Sequence, residues 1–214
     1  MSNLAKRILS AIILAPLVLW IIYLGGIPFK ILISVATFIM LLEWHSLVKK
    51  SSNPLGWNLL GIIYILVPCS SLIIIREVNG YIVTFLLIAA VWATDIGAYI
   101  FGKIIGGPKI CPKISPNKTW AGLVGGMIFS ALTVAGFIYY FSSDLLYKIE
   151  YTAIAGAVLA VIAQAGDFFE SWVKRKFGKK DSGSLIPGHG GLLDRADGLM
   201  FASVAALIFI LALG

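Results

Sequence analysis

Charge is scarce in this sequence. Lys, Arg, Asp and Glu together make up 13% of 214 residues, and only ten of these are acidic. An ordinary soluble domain carries about 25% charged residues, so a fully solvated globular surface is excluded. Cysteine is scarce as well. Cys69 and Cys111 are too few for a disulfide framework, and their spacing matches neither a zinc nor a redox motif. Phosphate-binding motifs of the soluble kind are missing: the run "GKIIGGPK" lacks the GK[ST] ending of a P-loop, and no GxGxxG occurs. These absences argue against a soluble nucleotide-binding fold.

What is abundant is apolar sequence. Hydrophobic residues reach 59%, and the mean hydropathy is +0.96. The bilayer is therefore the expected solvent, and a helix needs roughly 20 apolar residues to cross it. Runs of that kind fall near Ile8 to Leu24, Ile27 to Val48, Trp57 to Ile75, Tyr81 to Phe101, Thr119 to Phe141, Tyr151 to Glu170 and Gly198 to Leu213. They predict an all-α polytopic membrane protein of about seven transmembrane helices, forming a single integral membrane domain over residues 1–214. The first run follows Lys6 and Arg7 but has no small-x-small cleavage site, so it is expected to remain as a span.

The net charge of +7 has a topological explanation. Fourteen of the 17 basic residues lie on alternate segments: Lys6 and Arg7; Lys49 and Lys50; Lys103, Lys109, Lys113 and Lys118; Lys174, Arg175, Lys176, Lys179, Lys180 and Arg195. Lys30, Arg76 and Lys148 occupy the other side. By the positive-inside rule the N-terminus and the rich loops are cytoplasmic, and seven crossings put the C-terminus outside. Attraction to anionic headgroups accounts for the first four cations, and no nucleic-acid partner is called for.

The other ten sit in two polar, basic loops that hold more than anchors. "FGKIIGGPKICPKISPNKTWAG" and "SWVKRKFGKKDSGSLIPGHGGLLDRADG" interleave cations with glycine, proline and hydroxyl residues. Such loops bend sharply and bring backbone N–H groups close to a ligand. Carboxylates also lie where membrane helices rarely carry them. Glu43 and Asp95 are in or near predicted spans, and buried carboxylates in a bilayer point to function. In "QAGDFFESWVKR", Asp167, Glu170, Ser171 and Lys174 share one helical face. A salt bridge that caps the span competes with a functional reading there. Asp194 and Asp197 stand at the head of the last span, where carboxylates suit the positive helix end. Helices joined by one loop are expected to be neighbours, bringing Asp167 and Asp194 together. Oxygen ligands of this kind favour Mg²⁺ or Mn²⁺, and with lysines and a glycine-rich loop they make a phosphoryl-transfer toolkit.

Three smaller readings complete the residue-level picture. His189 in "PGHGG" either contacts phosphate or hydrogen-bonds a tight turn. Gly122 and Gly126 form a GxxxG spacing suited to close helix packing. Trp20, Trp44, Trp57 and Trp120 fit an interfacial belt.

The run from Ser171 to Asp197, "SWVKRKFGKKDSGSLIPGHGGLLDRAD", closely resembles the signature of the phosphatidate cytidylyltransferases, also called CDP-diacylglycerol synthases. "WATDIGAYIFGK" and "SPNKTWAG" resemble the family's other cytoplasmic motifs, so the resemblance covers roughly the last 120 residues and places the catalytic portion in residues 92–198. Asn117 and Ala121 stand where the family usually has lysine and glutamate, and Ala196 is smaller than usual. The resemblance implies cytidylyl transfer from CTP to phosphatidate in a bacterial plasma membrane, with the active site cytoplasmic, and a homodimer. It implies catalytic roles for Asp167, Asp194, Lys174, Arg175 and Arg195, with Asp167 and Asp194 as Mg²⁺ ligands. Ser171, Lys180, Asp181, His189, Asp197, Lys118 and Asp95 are the implied substrate-binding set. A CTP-using polyprenol kinase, a CDP-alcohol phosphotransferase and a transporter are the competing readings.

Overall fold

With no water in the hydrocarbon core, a spanning segment must satisfy its own backbone polar groups, and the apolar runs accordingly form helices. The computed structural model describes residues 3–141, 149–183 and 190–213. In chain order it contains α1 (Asn3–Leu24), α2 (Gly26–Val48), α3 (Pro54–Ile104), β1 (Lys109–Cys111), β2 (Ser115–Thr119), α4 (Trp120–Phe141), α5 (Ile149–Lys176) and α6 (Leu193–Leu213). Among the described residues five helices, α2 to α6, are long and apolar enough to cross a membrane.

Helix α3 has 51 residues and breaks at Gly80, where φ is 78° and ψ is −177°. Glycine takes this conformation without the Cβ penalty that other residues meet. Contacts with α6 show that the chain reverses there. Ser203 Oγ donates to the Pro68 carbonyl at 3.3 Å, while the Gly198 backbone packs against Val91. A straight helix would hold residues 68 and 91 about 34 Å apart, yet residues 198 and 203 span only about 7.5 Å of α6. The two halves of α3 are thus antiparallel arms, matching the two runs expected from sequence on either side of Asn79 and Gly80.

At the α1–α2 turn, Gly25 and Gly26 both have positive φ. Arg76 reaches into that turn, donating from Nε to the Ile22 carbonyl at 2.6 Å and from Nη2 to the Tyr23 carbonyl at 2.8 Å. It thereby satisfies acceptors that the end of α1 leaves unpaired. Lys30 pairs with Glu77 at 3.0 Å. So two of the three cations assigned to the poorer side serve local structure; Lys148 lies outside the described residues.

The central crossing joins the second arm of α3 to α4 through glycine. A Cβ at Gly122 would stand 2.9 Å from the Ala98 carbonyl, and one at Gly126 would stand 3.0 Å from that of Thr94. Backbones this close require small residues, as the GxxxG spacing predicted. Below the crossing, β1 and β2 form an antiparallel pair within a stretch expected to be loop. Pro112 and Pro116 obscure so short a hairpin in the sequence. Thr119 ends β2 and caps α4, its Oγ1 accepting from Gly122 N at 3.0 Å.

The core nearest the site is aromatic. Trp44, Tyr64, Val173, Leu193 and Met200 pack together, with Phe169 and Phe201 against them. Trp44 is 1% exposed, and its Nε1 donates to the Trp57 carbonyl at 2.8 Å. It is therefore a core residue, correcting the interfacial role expected for it. Trp20 and Trp120 are exposed.

Candidate active site

Helices α5 and α6 pack antiparallel, and their register decides which charged groups meet. Gly166 abuts the Asp197 carbonyl so closely that a Cβ would collide with it, which sets Asp197 level with Asp167. About one turn further along, Asp194 is level with Glu170 and Lys174. Lys174 Nζ lies 2.7 Å from Asp194 Oδ1 and 3.3 Å from Glu170 Oε1.

Asp194 is a heavily engaged carboxylate. Besides Lys174 it accepts from Ser182 N at 2.9 Å and from Gly191 N at 2.8 Å. Its side chain is 5% exposed. These bonds draw both ends of the α5–α6 connection onto the first turn of α6. Asp194 and Asp167 are on neighbouring helices as expected, but the oxygens of Asp194 are committed to this clasp.

Asp167 forms an ion pair with Lys118 at the end of β2, and Ser171 Oγ donates to Asp167 Oδ1 at 3.3 Å. Lys118 Nζ also stands 4.6 Å from the centre of the Phe168 ring. Thus the loop that carries Lys118 is joined to α5 by an ion pair. Asp95, on the second arm of α3, is within electrostatic reach of Asp167, Lys118 and Arg195. Asp197 accepts from Gly198 N at 2.7 Å and is in electrostatic contact with Asp167 and Glu170.

Other expected residues are placed at the rim. Arg175 donates to the carbonyls of Ile114 at 3.3 Å and Lys179 at 3.1 Å, tying the hairpin to the end of α5. Lys180 and Asp181 are exposed. His189 lies outside the described residues. Lys49, Lys50, Lys176 and Lys179 line a cleft of 480 Å³ beside Phe177, and Lys176 stands over the Trp57 and Trp172 rings. Loop cations from opposite ends of the sequence therefore share one end of the bundle.

The donor chemistry suits a hard divalent ion. Both Glu170 oxygens are buried, with Oε1 facing the Lys174 ammonium at 3.3 Å, and Asp167, Glu170 and Asp197 present carboxylate oxygen alone. Among the described residues no three such side chains form a ready-made cage. Mg²⁺ rarely needs one, since it is held by one or two carboxylates together with substrate phosphates and water. A metal sharing Asp167 with Asp197 fits the register, and Asp194 would have to give up clasp bonds to join it.

Residues 54–213 match the model of the cytidylyltransferase family. The chain belongs to that family. It is 35% identical to the phosphatidate cytidylyltransferase of Brucella suis over 256 residues, covering 98% of this chain and 94% of that protein. It is 41% identical to the phosphatidate cytidylyltransferase of Rickettsia bellii over 214 residues, covering 94% of this chain and 88% of that protein. The cytidylyltransferase match begins at Pro54 and so leaves out α1 and α2, while these relatives align across nearly the whole chain.

Sequence reasoning flagged Glu43 of α2 as a carboxylate in a span but left it out of the site residues. It is 8% exposed, and its carboxylate accepts from Leu192 N at 3.0 Å and Leu193 N at 2.9 Å. The signal available was an acidic residue inside an apolar span; its partners, some 150 positions away, were not legible.

Proposed function

We infer that this chain transfers a cytidylyl group from CTP to phosphatidate, giving CDP-diacylglycerol and pyrophosphate. The observation that carries the reading, with the family membership, is the meeting of Lys118–Asp167 and Lys174–Asp194 at the polar end of an apolar bundle. A phosphate oxygen of the lipid attacks the α-phosphorus of CTP, and the bond from that phosphorus to the bridging oxygen of pyrophosphate breaks. The attacking phosphate monoester is already largely ionised near neutral pH, so no strong general base is required. Positioning and charge neutralisation carry the load.

Lys118, at the end of β2, is placed to exchange Asp167 for a substrate phosphate. Lys174 is held rigidly between Asp194 and Glu170 and offers a fixed positive centre. Arg195, Arg175 and Lys180 neutralise the outer phosphates, Ser171 donates a hydrogen bond, and Asp95 orients Lys118 and Arg195. Mg²⁺ or Mn²⁺, held by Asp167 with Asp197 beside it, would supply further neutralisation of the triphosphate. Asp194 orients Lys174 and the loop ends.

The finer topology belongs to the same reading. Counting α1 and each arm of α3 as crossings gives seven, with the N-terminus and the site cytoplasmic and the C-terminus outside. The four-lysine cleft supports this orientation, because it faces the same side as the site and suits anionic headgroups. Phosphatidate then reaches Lys118 from the leaflet with its acyl chains in apolar surroundings. A homodimer rests on family resemblance.

Purified protein in detergent, supplied with CTP, phosphatidate and Mg²⁺, tests the reaction. Pyrophosphate and CDP-diacylglycerol are the expected products. Release of CDP with γ-phosphoryl transfer would instead make the chain a lipid kinase.

A further inference from the structure

The first amide groups of a helix lack intrahelical acceptors, and a side chain just before the helix commonly supplies them. In α6 the acceptor comes from another helix. Glu43 Oε1 receives Leu192 N at 3.0 Å and Glu43 Oε2 receives Leu193 N at 2.9 Å, and Ser182 Oγ donates to Oε2 at 3.3 Å. One buried carboxylate therefore binds both described ends of the α5–α6 connection.

The contact is built to exclude larger residues. At Gly183 a Cβ would stand 2.9 Å from Glu43 Cδ, and at Gly191 it would stand 2.7 Å from Glu43 Oε2. Two of the loop glycines thus have a steric reason in Glu43. From there the linkage continues: Ser182 N donates to Asp194 at 2.9 Å, and Asp194 receives Lys174 at 2.7 Å. A negative charge at the head of α6 is also favoured by the helix dipole.

We propose that Glu43 is a positioning residue of the cytidylyl-transfer site, latching the two ends of the α5–α6 connection so that Asp194 and Lys174 are held for the nucleotide. The inference rests on that connection serving CTP. It also assigns α2, which lies outside the matched segment 54–213, a part in the reaction. Glu43 itself touches no reacting atom in this role.

The test uses the full chain in detergent with Glu43→Gln, Glu43→Ala, Ser182→Ala and the double variant Glu43→Gln/Ser182→Ala. Glu43→Gln keeps the shape but leaves one acceptor where two are needed. It should raise KM for CTP by about tenfold, the scale of one lost charge-assisted hydrogen bond. KM for phosphatidate should stay within about twofold, and the double variant should cost less than the two single effects combined, because they share one contact. Hydrogen exchange at Leu192 and Leu193, followed without substrates, should accelerate in Glu43→Gln and more so in Glu43→Ala, while the amides of α4 stay protected. If Glu43→Ala does not fold, Glu43→Gln and Ser182→Ala decide. Unchanged KM for CTP with unchanged exchange would overturn the proposal, as would an equal loss for both substrates accompanied by loosening of α4. If the unaltered protein made no CDP-diacylglycerol, the reaction assignment would fall, while the exchange measurement would still judge the latch.

Discussion

Lys174 Nζ lies 2.7 Å from Asp194 Oδ1, with both side chains at least 90% buried and Glu170 on the other flank of the ammonium. One cation thus sits between two carboxylates at the α5–α6 junction. Removing a single partner from a buried pair leaves an uncompensated charge, which costs about 3–5 kcal/mol. Lys174→Met should accordingly lower the thermal unfolding temperature in detergent. Adding Glu170→Leu should restore part of that stability by removing one stranded carboxylate. Product formation should stay lost in both, because neither variant has the fixed positive centre. Recovery of activity in the double variant would show that Lys174 serves stability alone.

Asp167 is expected to act through metal and nucleotide rather than through packing. Its side chain is 29% accessible, so Asp167→Asn should leave thermal stability nearly unchanged. The Mg²⁺ concentration giving half-maximal activity should rise by on the order of tenfold or more, and chelation of divalent ions should abolish turnover in the unaltered protein. An unchanged half-activating concentration in Asp167→Asn would remove Asp167 from the proposed ligands.

Glycine at the α3–α4 crossing should be far less replaceable than glycine elsewhere in α4. A Cβ at Gly125 would approach the Gly97 carbonyl at 2.6 Å, whereas one at Gly136 meets nothing within 4 Å. Gly125→Ala should destabilise by about 1–3 kcal/mol through overpacking, and Gly136→Ala should be neutral or slightly stabilising. Equal unfolding temperatures for the two variants would contradict the close crossing.

Much of the architecture was readable from composition and spacing. The apolar runs located every helix among the described residues, because a spanning segment must be long and apolar to be soluble in lipid. The break at Gly80 was legible too, since Asn79 and Gly80 interrupt two such runs. Helix ends were less so: α5 continues to Lys176 and α6 begins at Leu193, both past the apolar stretches, because tertiary contacts and caps support polar helical turns outside the hydrocarbon. The β1–β2 hairpin was missed, as strands of three and five residues, with Pro112 between them and Pro116 in the second, show no alternation.

The candidate site divided in the same way. Periodicity put Asp167, Glu170, Ser171 and Lys174 on one face, and the structure has Ser171 bonded to Asp167 and Lys174 paired with Glu170. Whether a carboxylate there caps the span or serves chemistry was open in the sequence. In the fold the two carboxylates of that face take different partners: Glu170 pairs with Lys174, and Asp167 with Lys118 of the other basic loop.

By itself the sequence determined a bilayer protein built of apolar helices, the order of its apolar runs, the segments in which charge gathers, and the residues that resemble a cytidylyltransferase signature. These depend on local composition and spacing, which need no partner to be read. Only the tertiary structure decided which charges meet. The antiparallel register of α5 and α6 sets Asp197 beside Asp167 and gives Asp194 to Lys174, and the approach of α2 gives Glu43 to Leu192 and Leu193. Such pairings follow from how helix faces pack across 20 to 150 residues of chain, and no local pattern encodes that distance.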